Sequence, residues 1–279
     1  MARRGAVAVT ILGILFSLCG PLEGSSFFDL RLEDLLRKPL EMLGIARARR
    51  LSGGTAVTNC DYPGVVAVTF NGRIMCGGIH QGGKVTVPND CAEFLEFVTR
   101  MGPAVVNGDD GTETGEIESV VATNNNDGTS TIPLTSALAT TNCASNEYVA
   151  YDPSMTIDTG TCEIISYGGL SKKGHTYDGS LQSAPLVDNP MQGCCADVLP
   201  NLESYATIGT IEANPDYYTC SKTEQGVCNG DIGAPIYCTD TASGSKVVVG
   251  MAATAKCSAT GEIFVSIDLT GGSLTGFSS

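Results

Sequence analysis

The cysteines constrain this chain more than any other feature of its sequence. Twelve of the 279 residues are cysteine, and no two of them are spaced as Cys-x-x-Cys. Structural zinc sites usually need such closely spaced pairs, so we expect disulfide bonds in an oxidising compartment and no metal site. The chain also contains 34 glycines, 12 prolines and no tryptophan. That composition favours a turn-rich, all-β protein over a helix bundle, and we expect no cofactor.

The N-terminus has the pattern of a secretory signal peptide. Arg3 and Arg4 precede an apolar run over residues 6–18, and small residues follow at positions 24–26. A membrane anchor is the alternative, but the run is too short to cross a bilayer. We therefore assign residues 1–24 to a signal peptide and expect a secreted, extracellular protein without a membrane partner.

A cluster of arginines predicts a second processing site. Arg47, Arg49 and Arg50 resemble the target of a dibasic, furin-type convertase, which would remove residues 25–50 as a propeptide. Residues 1–50 contain eight basic and five acidic residues of the totals of 16 and 30, so residues 51–279 have a net charge of −17. Phosphate backbones need clustered Lys and Arg, so this charge excludes nucleic acid and suits a cationic or neutral partner.

Beyond residue 50 the hydrophobic pattern predicts short strands. Residues 65–70 and 73–76 flank Asn71-Gly72, a strong signal for a two-residue hairpin. Polar turn-forming residues fill the gaps, and we expect turns at 107–115 and 123–131. Further strands are predicted at residues 164–166, 206–211, 247–252 and 263–267.

Six short motifs then follow one another along the chain. They occupy residues 51–54 (LSGG), 76–78 (CGG), 86–91 (TVPNDC), 125–127 (NND), 162–168 (ending in SYG) and 230–235 (GDIGAP). In this order they resemble the chymotrypsin/trypsin family of serine proteases over essentially all of residues 51–279. The resemblance implies two antiparallel six-stranded β-barrels, over about 51–155 and about 156–279, with the site in the cleft between them.

The resemblance also shows that the catalytic triad is degenerate. It places Asp90 where the family has its catalytic histidine, Asp127 at the triad aspartate and Ile232 at the nucleophilic serine. Isoleucine has no hydroxyl or thiol to attack a carbonyl, and an exposed carboxylate is too weak a base near neutral pH. The backbone amides of Gly230 and Ile232 would still form an oxyanion pocket. We therefore expect a non-catalytic serine protease homologue.

Two further site assignments follow from the same resemblance. Cleavage after Arg50 would release the amine of Leu51 to pair with Asp231, the contact that orders the site loops in active family members. The residues of the specificity pocket correspond to Gly226, Ala253 and Glu262. Gly226 at the pocket base carries no acid to hold a basic side chain, so trypsin-like selection is not expected.

The resemblance implies a set of disulfide bonds. These are Cys76–Cys91, Cys162–Cys238, Cys228–Cys257 and a bond from Cys220 to either Cys194 or Cys195. Cys60–Cys143 is a further plausible pair. Cys19 is lost with the signal peptide, so one cysteine remains as a buried thiol or an intermolecular bridge.

Other functions remain open at this point. The two histidines, His80 and His175, have no motif context, and Asp90 with Asp127 would form a carboxylate pair similar to that of acid proteases. We expect a binding role as decoy, cofactor or inhibitor, with an extracellular protease or its substrate as partner. The alternatives are an active hydrolase with an unorthodox site, or an acidic structural protein of a secreted matrix.

Overall fold

A computed structural model describes residues 54–108, 113–118, 122–136, 138, 147–168, 179–187, 217–227, 231–254 and 263–272. Within these ranges the prediction of an all-β protein is confirmed, because strands predominate over one helix, α1 (Asn89–Val98), and a 3-10 turn at Asn59–Asp61. None of the helices that the structure describes is long and apolar enough to span a membrane. The strands are β1 (Thr55–Ala56), β2 (Val65–Phe70), β3 (Arg73–Gln81), β4 (Lys84–Pro88), β5 (Ala104–Gly108), β6 (Glu113–Ile117), β7 (Thr123–Asn124), β8 (Thr129–Pro133), β9 (Ile157–Ser166), β10 (Gln182–Pro185), β11 (Tyr218–Lys222), β12 (Pro235–Asp240), β13 (Lys246–Thr254) and β14 (Ile263–Asp268).

The first sheet contains the strands from β2 to β8. Its order is β6-β5-β2-β3-β4-β8-β7, and every pairing is antiparallel. Beyond the end of β8, the N–H of Thr135 donates a 2.8 Å hydrogen bond to the carbonyl oxygen of Glu116 in β6. Glu116 also forms an isolated antiparallel bridge with Ser136. These contacts join β6, at one edge of the sheet, to the segment that continues β8.

The second sheet contains β1 and the strands from β9 to β14. Its order is β1-β10-β9-β12-β13-β14-β11, again antiparallel throughout. Beyond β10, the N–H of Val187 donates a 2.9 Å hydrogen bond to the carbonyl oxygen of Lys222 in β11. Leu186 and Thr223 form the isolated bridge beside it. The two sides of this sheet are therefore joined in the same manner as those of the first.

Both sheets repeat one order of neighbours. Six strands of each are numbered 1 to 6 along the chain: β2, β3, β4, β5, β6 and β8 in the first sheet, and β9 to β14 in the second. With the isolated bridges included, the neighbours in both sheets are 1-2, 2-3, 3-6, 6-5, 5-4 and 4-1. The two-residue strands β7 and β1 are additional members. The change from one sheet to the other falls between Pro133 and Ile157, where the sequence analysis divides the two halves at about residue 155.

The hydrophobic core consists of three clusters. One lies within the first sheet and includes Val85, Leu95 and Ile132, and a second lies within the other sheet and includes Ile236 and Phe264. The third cluster takes side chains from both sheets. It includes Val65, Ile79, Tyr237, Met251 and Ile267, all of them buried. The burial of this shared apolar surface holds the two sheets together.

Two of the expected disulfide bonds are present. Cys76–Cys91 joins β3 to α1, and Cys162–Cys238 joins β9 to β12. Cys60 is disulfide-bonded, and Cys220 is buried. Their expected partners, Cys143 and Cys194 or Cys195, lie outside the described residues, as do Cys228 and Cys257, so these pairings stay predictions.

The strand predictions are confirmed in part. The hairpin forms as expected between β2 and β3, and Asn71 and Gly72 have φ values of 51° and 73°, as a turn with two left-handed residues requires. The turns expected at 107–115 and 123–131 are wrong as continuous turns. β6 starts within the first, and the second contains β7 and the start of β8. Their threonines satisfy backbone pairing while keeping a polar side chain on one face. The strand predicted at 206–211 lies outside the described residues.

Candidate functional site

Asp90 lies in the first turn of α1. This helix starts directly after β4, and its first residue, Asn89, is held from both backbone and side chain. The N–H of Asn89 donates to the carbonyl oxygen of Gly128 at 3.0 Å, and the Ser130 hydroxyl donates to Asn89 Oδ1 at 2.7 Å. These bonds fix the start of the helix against the turn that contains Asp127. An acidic residue in the first turn is also favourable at the positive end of a helix.

Asp127 occupies the tight turn that leads into β8. Its Oδ1 accepts the backbone N–H of Thr129 at 2.9 Å and the Thr129 hydroxyl at 2.6 Å. The flanking residues Asn126 and Gly128 have positive φ values of 58° and 89°. One carboxylate oxygen of Asp127 is therefore already used within its own turn, which leaves Oδ2 as the atom that would orient a base.

The Tyr218 phenol lies close enough to Asp90 and Asp127 for both carboxylates to affect its ionisation. Burial raises the pKa of its phenol to about 12, and the nearby carboxylates of Asp90 and then Asp127 add to the shift. A Cβ atom built on Gly128 would lie 3.4 Å from the Tyr218 hydroxyl, so the Asp127 turn packs against this ring. Asp90 and Asp127 thus act on one buried phenol. The sequence analysis did not identify Tyr218, which no motif marks.

Ile232 lies in a turn that the backbone holds from both sides. Its carbonyl oxygen accepts a 2.7 Å hydrogen bond from the N–H of Gly77 in β3, and the N–H of Gly233 donates to Ala252 in β13 at 2.7 Å. The preceding residue, Asp231, is fully buried, and the Ile232 side chain is half-buried. Gly230, the other expected donor of an oxyanion pocket, lies outside the described residues.

Residues next to the three predicted triad positions, Asp90, Asp127 and Ile232, are connected by one disulfide bond and by backbone hydrogen bonds. Cys91 follows Asp90, and its disulfide reaches Cys76, whose neighbour Gly77 is bonded to Ile232. The start of α1 is therefore connected to the turn before β12 through one disulfide bond and one hydrogen bond. Asp127 joins this group through the bond from Asn89 to Gly128. These contacts connect the neighbours of Asp90, Asp127 and Ile232 in sequence, and the Ile232 side chain has no nucleophilic atom.

The remaining predicted residues are placed less fully. Gly226 and Ala253 are both buried, whereas Leu51, Glu262 and the arginines at 47, 49 and 50 lie outside the described residues. His80 is buried on β3, and its backbone N–H donates a 2.7 Å hydrogen bond to the carbonyl oxygen of Gly64. His175 lies outside the described residues. No group of three or more potential metal ligands occurs among the residues searched, which are those the structure describes.

A cavity of about 280 Å³ lies beside this region and not at the predicted specificity pocket. Asp127 is on its wall, whereas Gly226 and Ala253 are not among its lining residues. The cavity walls come from both sheets and from the segment that joins them. The sequence analysis did not find it.

The chain was also compared with known proteins. Neither models of protein families nor curated proteins matched the sequence.

Proposed function

We propose that this protein is a secreted, non-catalytic homologue of the chymotrypsin-like serine proteases that binds a protein partner. The repeated strand order supports this proposal most directly. Two sets of six antiparallel strands have the same neighbours, and in each set an isolated bridge joins the strands that the continuous ladder leaves apart. We interpret each set as a six-stranded barrel, since closure removes the exposed strand edges.

The contents of the site support the loss of catalysis. Acyl transfer of this kind needs a nucleophile, a base and a group that orients the base, and these act as one unit. Ile232 stands at the nucleophile and Asp90 at the base. Asp127 has one oxygen committed to Thr129. A chain with this set would bind a peptide without cleaving it.

The placement of β1 supports activation by processing. Thr55 pairs with Ser183 in β10, and the N–H of Val57 donates to Leu181 at 3.1 Å, so the chain after the predicted cleavage point is anchored on the second sheet. Leu51 is four residues before Thr55, and four extended residues span at most about 14 Å. The convertase that cuts after Arg50 would thus be one partner, and an extracellular protease or its substrate the other.

Activity measurements test the loss of catalysis. The protein cut after Arg50 should neither hydrolyse peptide or ester substrates nor react with a fluorophosphonate probe. Ile232→Ser alone should remain inactive, because the serine lacks a base. Ile232→Ser with Asp90→His should react with the probe, and adding Asp127→Asn to this pair should abolish the reaction. Turnover by the unchanged chain that disappears in Asp90→Asn would contradict the proposal and favour a carboxylate-pair hydrolase.

A capture experiment tests the binding role. The processed chain should retain a specific extracellular protein that is identified by mass spectrometry, and the uncut chain with Arg47, Arg49 and Arg50 replaced by Ala should retain less of it. Insolubility in an extracellular matrix, with no partner captured by either form, would favour a structural role instead.

A further inference from the structure

Of the three residues predicted for the triad, Asp127 alone is among the residues that line the 280 Å³ cavity. The cavity opens between the two sheets, and its volume is just below the range of about 300–1,000 Å³ that is typical of small-molecule sites. A site of this size suits a ligand no larger than a single sugar ring or an amino acid. The chemistry of its walls distinguishes between these ligands.

One wall is polar and belongs to three adjacent strands. Because side chains alternate across a strand, every second residue of β4 and β8 reaches this wall, whereas Val85 and Ile132 point into the core of the first sheet. Thr86 and Thr131 are direct cross-strand partners. The strand residues on this wall are Ile79, Gln81, Lys84, Thr86, Thr129 and Thr131.

The hydroxyl groups of this wall are held in place by Asn125. Its Nδ2 lies 2.9 Å from the Oγ1 atoms of both Thr129 and Thr131, and the Thr131 and Thr86 oxygens are 3.3 Å apart. Asp127 adds a carboxylate beside them, bonded to Thr129. Thr129 is fully buried, and its hydroxyl is already bonded to Asn125 and Asp127. The groups that remain for a ligand are those of Asn125, Thr86 and Thr131 and Oδ2 of Asp127, which are held in place without reorganising.

The opposite wall is aromatic and apolar. The segment over residues 148–151 is bonded to β3 through the N–H of Tyr148, which donates to His80 O at 3.4 Å, and to β13 through Val149 O, which accepts from Val248 at 2.9 Å. It places Tyr148 and Tyr151 on the cavity, next to Val248. The ligand would therefore meet polar groups on one side and the two tyrosines, each also packed against a core cluster, on the other.

Charge decides between the two ligand classes. Among the lining residues that the structure describes, Lys84 and Asp127 carry charge, with opposite signs, so the wall has no net charge. Most of its other polar groups are neutral hydroxyls and amides. We propose that this cavity binds a neutral pyranose sugar, whose hydroxyls bond to the Asn125–Thr131 wall and whose apolar ring face lies on Tyr148 or Tyr151. This site shares Asp127 with the predicted triad positions and needs no catalytic step.

Saturation-transfer NMR with methyl glycosides of glucose, galactose, mannose and N-acetylglucosamine tests the proposal. At least one should bind with a dissociation constant of about 1 mM, typical of a weak but specific site. Thr131→Val keeps the side-chain shape and removes a hydroxyl, and should weaken binding about tenfold, or about 1.4 kcal/mol. Ala150→Trp should fill the cavity and abolish binding. Thr114→Val, an exposed threonine on β6, is the control and should bind as the unchanged protein does.

Three results would overturn the sugar site. The first is no saturable signal for any glycoside at about twenty times 1 mM. The second is binding that Thr131→Val and Ala150→Trp leave unchanged, in variants whose circular dichroism and melting temperature match the unchanged protein. The third is binding of zwitterionic amino acids in place of sugars, which would assign Lys84 and Asp127 to a charged ligand.

Discussion

The backbone N–H of Gly77 donates a 2.7 Å hydrogen bond to the carbonyl oxygen of Ile232, so the turn that contains Ile232 is fixed to a strand of the other sheet. The approach is so close that a Cβ atom on Gly233 would lie 2.1 Å from the oxygen of Gly77. The conformation of this turn therefore depends on the packing between the sheets.

Gly233→Ala should destabilise the protein by about 3–5 kcal/mol. The residue has a φ of +84°, which a side chain adopts at a cost of about 1–2 kcal/mol, and the added methyl would overlap Gly77. Gly82→Ala is the matched control: its φ is +58°, but its Cβ would meet nothing within 4 Å. We expect a loss of only about 1–2 kcal/mol there. If urea unfolding shows that Gly233→Ala and Gly82→Ala lose the same free energy of unfolding, the two sheets do not approach each other closely at Gly233.

The titration of Tyr218 should report on the two site carboxylates. Its phenol should ionise with a pKa of about 12, and Asp90→Asn or Asp127→Asn should lower that pKa towards 10, because each removes a negative charge that opposes ionisation. The measurement is a pH series of ¹³C NMR spectra with labelled tyrosine. Asp152→Asn, in an exposed turn, should leave it unchanged. If neither site variant moves the Tyr218 signal, the two carboxylates do not lie beside it.

Asp240 should make the fold sensitive to acid. The Ser243 hydroxyl, which donates to Oδ2 at 2.6 Å, lowers the pKa of Asp240 most, and backbone N–H groups, including that of Thr156, lower it further. A lowered folded pKa means that ionised Asp240 stabilises the protein above its unfolded value of about 3.9. That contribution is lost as the pH falls through the folded pKa.

Melting temperatures of the unchanged protein and Asp240→Asn check this prediction. Their difference should be largest near pH 6. It should shrink as the pH falls below about 4, because the unfolded chain then binds a proton at Asp240 while the folded carboxylate still resists protonation. Ser243→Ala should reduce the pH dependence in part, because it removes the strongest donor. A difference that stays constant from pH 6 to pH 3 would assign the effect of the substitution to packing.

Cleavage after Arg50 should stabilise the chain. If the new amine of Leu51 pairs with the buried Asp231, the free energy of unfolding should rise by about 3 kcal/mol, and Asp231→Asn should remove that gain. The comparison uses the cut protein and a form that resists the convertase because Arg47, Arg49 and Arg50 are Ala. If mass spectrometry finds only secreted chains that begin near Ser25, the protein is not cleaved after Arg50 and this prediction is wrong.

Local turn chemistry made part of this fold predictable. Asn71-Gly72 marks the β2–β3 hairpin, because few other dipeptides tolerate two left-handed residues in succession. The apolar centres of β9, β13 and β14 also lie within the observed strands. α1 was missed, although Cys91, Leu95 and Val98 have helical spacing and are buried. The threonine-rich β8 was taken for a turn, because its polar face resembles turn composition.

The motifs predict Asp90, Asp127 and Ile232 as site residues, and this assignment stays a prediction. The structure adds that Gly77 is hydrogen-bonded to Ile232 and that Asn89, next to Asp90, is hydrogen-bonded to Gly128, next to Asp127. Tyr218 and the cavity were missed, because both depend on how two sheets pack across more than a hundred residues of sequence. No local sequence pattern predicts a cavity whose walls come from separate halves of the chain.

The pairing of β1 with β10 has a consequence for the order of folding. Thr55 and Ser183 are partners although the first lies before every strand of the first sheet and the second lies within the second sheet. Closing so long a loop is costly in entropy until the strands at its far end have formed. The N-terminal strand should therefore dock late, after both sheets are in place, as the last cooperative step in the refolding of the oxidised chain.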